Sequence, residues 1–221
     1  LAFGDSIGGF IGDPTTFAFF KGVGAATQSE LAPTIPFVLF ALFQMKFAII
    51  TPALITGSFA ERVRFSSFLL FIILFSIIIY SPLAHMTWHP EGFLRKWGVL
   101  DFAGGTVVHM SAGFAAIAAA IILGRRKNHG TAVHQPANVP YVLLGTGLLW
   151  FGWFGFNAGS ALGANGDAAL AFATTTVASA AAMLAWVFYD ALMGRKISGL
   201  GASIGAVVGL VAITPAAGFV T

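Results

Sequence analysis

Cysteine is absent from the 221 residues, which excludes disulfides, thiolate metal clusters and thiol nucleophiles together and leaves the redox compartment unreadable. Charge is scarce: Asp, Glu, Lys and Arg are 9% of the chain, about a third of their usual share in a soluble domain. Ten-residue segments of alternating polarity are missing, so a transmembrane barrel is excluded. So is a potassium-type filter, for want of a glycine-rich carbonyl run. No metal-ligand pair or nucleophile constellation is visible, which ranks a cofactor-binding membrane enzyme low; neither catalysis nor a cofactor is expected. Nothing marks a second domain, a low-complexity linker or a tandem repeat.

What is present is apolar. Hydrophobic residues are 57% of the chain and the mean hydropathy is +0.88, the profile of an integral membrane protein in contact with a lipid bilayer. A hydrocarbon core of about 30 Å needs about 20 helical residues. Spans are predicted at Pro33 to Ala60, Phe65 to Ala84, Phe102 to Leu123, Val139 to Leu162, Ala168 to Leu192 and Leu200 to Val220. That is an all-α polytopic bundle of five complete spans and a partial or complete sixth. The glycine-punctuated stretch Leu1 to Phe20 reads either as the tail of a preceding span or as a loop. The chain lacks a basic leader with a cleavage site and stops as its last apolar segment finishes, so it reads as a fragment.

The +3 formal charge is informative by position. Arg62/Arg64, Arg125/Arg126/Lys127 and Arg195/Lys196 all follow odd-numbered spans, which the positive-inside rule places in the cytoplasm. Trp88 and Ser160 then face outside, although Arg95 and Lys96 in the outer loop weaken the asymmetry. Positive charges that recur at span ends do not make a nucleic-acid surface.

The run Asp101-Phe-Ala-Gly-Gly-Thr-Val-Val-His109 is expected to open a spanning helix. Eight residues at about 100° each return nearly to the starting direction after a climb of about 12 Å, placing acid and imidazole on one face. A histidine at that depth either bonds a neighbouring helix or serves an ion or proton pathway, and the cost of polar groups in lipid favours the second. Asp101 either accepts backbone amides at a helix start or draws cations to the outer mouth, and both roles can coexist. Small residues at Gly104/Gly105, Ala112/Gly113, Ala116 and Ala120 are expected to pack helices closely.

Phe43 and Phe47 lie four apart on the first span, as do Phe156 and Ser160 on the fourth. If those faces converge they form an apolar constriction with one hydroxyl above it. Trp88 is either an interfacial anchor or a cation–π platform for a small ammonium-like ion. Lys46 either snorkels or faces a cavity, and Asp190 has basic residues near it to pair with.

Several blocks together resemble the ammonium transporter, methylammonium permease and Rhesus protein family. They are Asp101 to His109 with the closing Gly124-Arg-Arg126, Phe43-Gln-Met-Lys-Phe47 with Thr51-Pro-Ala-Leu-Ile-Thr-Gly57, Ala84-His-Met-Thr-Trp88, and Gly152-Trp-Phe-Gly-Phe-Asn-Ala-Gly-Ser160. The resemblance implies the ammonium transporter fold of eleven helices in two inverted halves, assembled as a homotrimer in the plasma membrane, the inner membrane of a bacterium. Residues 1–221 look like one partial domain holding the third to eighth helices after a short preceding segment. Carried over by position, Trp88, Phe47, Ser160 and Phe43 belong to an outer ammonium site. Phe47 and Phe156 form a gate, His109 is the first pore histidine, and Asp101 supports the site. The implied activity is recruitment of ammonium, its deprotonation near the gate, and passage of ammonia through an apolar pore. The resemblance also admits a cytosolic PII-type regulatory partner and, as an alternative, an ammonium sensor coupled to a signalling domain. The bacterial transporter branch fits Trp88 better than the Rhesus branch does. His85 and His89 flank Trp88 and are assigned no pore role.

Overall fold

In the computed structural model, which describes residues 1–127, 129–131 and 136–221, the chain folds as two compact units, Leu1–Arg126 and Lys127–Thr221. The first begins with a small antiparallel hairpin, β1 (Ser6–Ile7) against β2 (Ile11–Gly12), so the glycine-punctuated opening is a loop and not the tail of a span. Helix α1 (Phe37–Leu54) starts after Pro36, whose fixed φ suits the entry, and carries Pro52 in its last turn before the short α2 (Thr56–Phe59). The next rod is continuous: α3 (Phe65–Phe75), a π turn at Ser76–Tyr80, and α4 (Ser81–Trp88). After the single-turn α5 (Phe93–Lys96), a second π turn at Gly105–Met110 leads into α6 (Ser111–Leu123).

Each π turn is followed by a serine that bonds back into it. Ser81 Oγ donates to the carbonyl of Ser76 at 2.7 Å, and Ser111 Oγ donates to that of Val107 at 2.6 Å. A wide turn displaces carbonyls from their regular partners, and in hydrocarbon no water replaces the lost bond, so a local hydroxyl takes over.

The second unit holds α7 (Val139–Asn157), a 3₁₀ turn (Ala158–Ala161), α8 (Gly166–Leu192) and α9 (Gly199–Ile213). Each of these three α-helix starts has a side-chain cap. Asn138 accepts from the Tyr141 amide at 3.1 Å, Asn165 from Ala168 at 3.0 Å, and Ser198 from Gly201 at 3.0 Å. Along α9, Gly201, Gly205 and Gly209 lie four apart and press on α8. A Cβ at Gly205 would stand 3.0 Å from the Ala182 carbonyl oxygen, and one at Gly209 2.5 Å from that of Ala178. Helices in lipid associate through such close approach and through polar contacts rather than through burial of apolar area. The polar contacts are there too: Ser179 Oγ donates to the Ala206 carbonyl at 3.0 Å, Asn157 Nδ2 to Thr175 Oγ1 at 2.9 Å, and Trp153 Nε1 to Thr214 Oγ1 at 3.0 Å.

Among the described residues, five helical stretches are long and apolar enough to span: Phe37–Phe59, Phe65–Lys96, Gly105–Leu123, Val139–Ala161 and Gly166–Leu192. The expected sixth is α9, whose 15 residues are too few to qualify. Two further corrections bear on the site. The second stretch continues beyond Ala84, so Trp88 closes α4 instead of following it in a loop. The third begins at Gly105, so Asp101 to Gly104 are not helical. The predicted small-residue seam on α6 is also only partly used, since a Cβ at Gly113 would meet nothing within 4 Å.

Candidate functional site: an aromatic cluster braced by a buried carboxylate

Asp101 anchors the site. It is only 4% exposed, and its carboxylate accepts four successive backbone amides: Gly104 at 2.8 Å and Gly105 at 2.6 Å on Oδ1, Thr106 at 2.9 Å and Val107 at 3.1 Å on Oδ2. These are the otherwise orphaned donors at the mouth of the π turn, and the negative charge complements the helix dipole there. Burial pushes the carboxyl above the usual Asp range, while the four amides pull the other way by favouring the ionised form. The expectation that Asp101 and His109 share one face of one helix is therefore corrected. Asp101 stands outside the helix as its cap, Gly104 turns the chain at φ 110°, and the intervening π turn breaks the 100° phase on which the spacing argument rested.

Gly104 has a second reason to be glycine. A Cβ there would stand 2.8 Å from Val108 Cγ2 and 3.5 Å from Trp88 Cζ2. The chain thus passes close beside the indole, whose Nε1–H donates to the backbone carbonyl of Asp101 at 3.0 Å. The residue that gathers the amides with its side chain holds the tryptophan with its main chain.

Phe47 packs on that tryptophan edge-to-face, ring centres 5.6 Å apart at 76°, and Phe43 packs on Phe47 at 4.9 Å and 79°. Such T-shaped pairs set the positive edge of one ring against the negative face of the next. Phe47 is buried, whereas Phe43 and Trp88 are half-buried, so part of the indole stays accessible. The first unit thus brings together Phe43, Phe47, Trp88 and Asp101, residues from three separate sequence blocks. His109 lies half-buried in the last turn of the π segment, with its backbone amide bonded to the Gly104 carbonyl at 3.1 Å.

Phe156 and Ser160 belong to the second unit. Ser160 Oγ donates to the Phe156 carbonyl at 2.8 Å, and the Phe156 ring lies 5.2 Å from Trp153. The i, i+4 spacing read from the sequence therefore appears as a hydroxyl satisfied by its own helix, with both oxygen lone pairs still able to accept. Lys46 is exposed on α1, and Asp190 pairs with Arg195 at 3.9 Å.

His85 is a structural residue that spacing alone did not reveal. Fully buried, it bonds Ser6 Oγ through Nε2 and the Ala2 carbonyl through Nδ1, both at 2.9 Å, and stacks on His89 with ring centres 4.4 Å apart. It ties α4 to the opening hairpin, one turn before Trp88. Among the described residues, no group of three or more His, Cys, Asp or Glu could hold a metal ion.

The sequence profile described as Ammonium Transporter Family matches residues 1–221. The chain is 53% identical over 220 residues to the ammonium transporter of Aquifex aeolicus, covering 100% of this chain and 50% of the relative. It is 51% identical over 205 residues to that of Bacillus subtilis, covering 93% and 50%. It superposes on the crystal structure of Saccharomyces cerevisiae Mep2 with a TM-score of 0.91 at 40% identity, covering 100% of this chain and 50% of that one. A solved structure titled Sensor Amt Protein gives 0.85 at 34% identity, covering 100% and 55%. The chain spans about half the length of the curated relatives it matches. With its apolar spanning helices, its braced aromatic cluster and this profile along its whole length, it is a multi-pass membrane chain that belongs to the Ammonium Transporter Family.

Proposed function

We propose that the complete protein carries ammonium across the plasma membrane and that this chain supplies its outer recognition site. The observation that carries the reading is the brace at Trp88: the indole N–H is held by the Asp101 carbonyl and the ring is wedged by Phe47. A tryptophan so fixed presents an aromatic surface without the entropy cost of ordering it on binding. Cation–π attraction of about 0.5–2 kcal/mol then offsets part of the dehydration of a small cation. Ser160 supplies an oxygen acceptor for an N–H donor, and Phe43 flanks the site. The buried negative charge of Asp101 favours a cation nearby.

Past that site, Phe47 and Phe156 act as an apolar gate that admits ammonia after a proton is given up, because an unpaired charge is far costlier than a neutral amine in a dry passage. His109 lines the passage as one donor and one acceptor, able to relay a proton. The family resemblance extends this proposal to a homotrimeric assembly and admits a cytosolic PII-type protein as its regulatory partner. Since the fold is shared with a protein whose title names a sensor, the deciding measurement is transport itself. In the complete protein, Trp88→Leu should raise the apparent KM for methylammonium uptake by about twofold to thirtyfold, the equivalent of the lost cation–π attraction. An unchanged concentration dependence at equal surface expression removes Trp88 from the site, and no uptake by the unsubstituted protein removes transport.

A further inference from the structure

Trp88 rides on the last turn of α4, and the chain leaves the helix at the next residue, His89, with ψ 139°. Helix ends fray unless something holds them, so the indole is only as fixed as this turn. The turn is held from outside the helix. Gly92 returns so close to it that a Cβ there would collide with the carbonyls of His85 and Met86. The Gly92 amide donates to the His89 carbonyl at 2.9 Å and the Phe93 amide to the Gly9 carbonyl at 3.1 Å, which joins the loop after α4 to the opening hairpin.

The two imidazoles at the centre of this cap are neutral and in opposite tautomers. A carbonyl can only accept, so His85 Nδ1 carries the hydrogen that goes to Ala2, and its bare Nε2 accepts from the Ser6 hydroxyl. That hydroxyl oxygen in turn accepts from the Gly9 amide at 3.2 Å. His89 is the reverse: its Nδ1 accepts from the Glu91 amide at 3.1 Å, so its hydrogen is on Nε2. The rings stack nearly parallel, at 17°, with His85 fully buried and His89 5% exposed. The charged groups around them are Asp5 and the Leu1 nitrogen of the opening segment, Glu30 ahead of α1, Glu91 in the loop and Lys96 on α5. Among the described residues, no carboxylate is within ion-pair distance of either ring, so a charge there would be buried and unpaired.

Acid acts on the two rings differently. A proton on His85 Nε2 meets a hydroxyl that can rotate to accept it, whereas one on His89 Nδ1 meets a backbone N–H that cannot. Donor then faces donor, and the turn from His89 to Glu91 has to open.

We propose, resting on the transport reading, that His85 and His89 are positioning residues for the outer ammonium site. His85 latches the last turn of α4, and with it Trp88, to the opening hairpin; protonation of His89 from outside opens the latch, so that ammonium is captured less tightly from an acid medium.

The test uses the complete protein at outer pH values of about 7.5 and about 5.5, on either side of the ordinary imidazole value of about 6.5. Methylammonium stays a cation throughout. Its apparent KM should rise by about twofold to tenfold at the acid value, the share of the cation–π attraction lost when the indole is no longer fixed, with the maximal rate nearly unchanged. His89→Asn supplies a side-chain oxygen that accepts the same amide two residues on and does not titrate, so it should keep the low KM at both values. His85→Ala should raise KM at the neutral value and add little to Trp88→Leu, where no indole is left to position. Ser6→Ala, a smaller lesion in the same tie, should move KM in the same direction and serves if His85→Ala does not assemble. Hydrogen exchange, corrected for the intrinsic effect of pH, reads the latch without transport. The Gly9, Glu91 and Phe93 amides should lose protection several-fold at the acid value in the unsubstituted protein and keep it in His89→Asn. An acid response that survives His89→Asn, additive effects of His85→Ala and Trp88→Leu, or uptake with neither KM nor protection sensitive to pH would each overturn this inference alone. Absence of uptake by the unsubstituted protein removes the transport reading and the ammonium role of the latch with it.

Discussion

Asp101 concentrates two duties in one residue, and they separate on substitution. In Asp101→Asn the remaining carbonyl oxygen still accepts from one pair of amides, but the new NH₂ group faces the other pair as donor against donor. Two buried N–H groups would lose their acceptor, at about 1–3 kcal/mol each, so the variant should melt several degrees lower in detergent even before its transport is assayed. A melting temperature equal to that of the unsubstituted protein would show that the four bonds do not stabilise the fold. The capping reading of Asp101 was one of two open in the sequence, because an acid ahead of an apolar run is a general helix-start signal. Nothing in the sequence pattern distinguished its distance from the helix, since Gly104 can turn in ways that spacing does not record. The same holds for His85. Its partners Ser6 and Ala2 lie about eighty residues earlier, and local pattern carries no trace of so distant a contact.

At the scale of elements, the spans were legible because lipid demands about 20 apolar residues and little else supplies them. Their ends were less so. Hydropathy falls at His85, so the second span seemed to stop at Ala84, yet the helix continues to Trp88, with the His85 ring bonded to Ser6 and to the Ala2 carbonyl of the opening segment. Both π turns were invisible, since one residue more per turn leaves composition untouched and changes only direction. The α8–α9 seam went unnoticed for a related reason: small residues abound on every helix here, and only the partner decides which stripe is used. That seam yields a sharp expectation. Gly209→Val would force side-chain atoms into the Ala178 carbonyl 2.5 Å from the Cβ position, whereas Gly113→Ala on α6 meets open space. The first should cost on the order of 3 kcal/mol or abolish stable expression, and the second should be nearly neutral. Limited proteolysis of the purified variants reads the difference, and equal resistance would mean that the seam is not a rigid contact.

For the whole molecule, the expected topology puts the Arg62/Arg64 and Arg125/Arg126 ends on the cytoplasmic side. These 221 residues contribute no cysteine, so single cysteines at Ser66 and Lys127, in the protein with any cysteine elsewhere replaced, report cleanly. An impermeant maleimide should fail to reach them in intact cells and should label them after permeabilisation. Labelling from outside would invert the map and move the aromatic site to the inner face. Helix α9, at 15 residues about 22 Å long, is too short to bridge a core of about 30 Å unaided. Its glycine stripe and the Ser179 bond make it dependent on α8, which the ribosome delivers first. Biosynthesis therefore has a built-in sequence of events: α8 must wait in the bilayer as a half-finished docking face, and a pause or a stop codon between the two would leave a stable span carrying an unfilled polar seam, a ready substrate for membrane quality control.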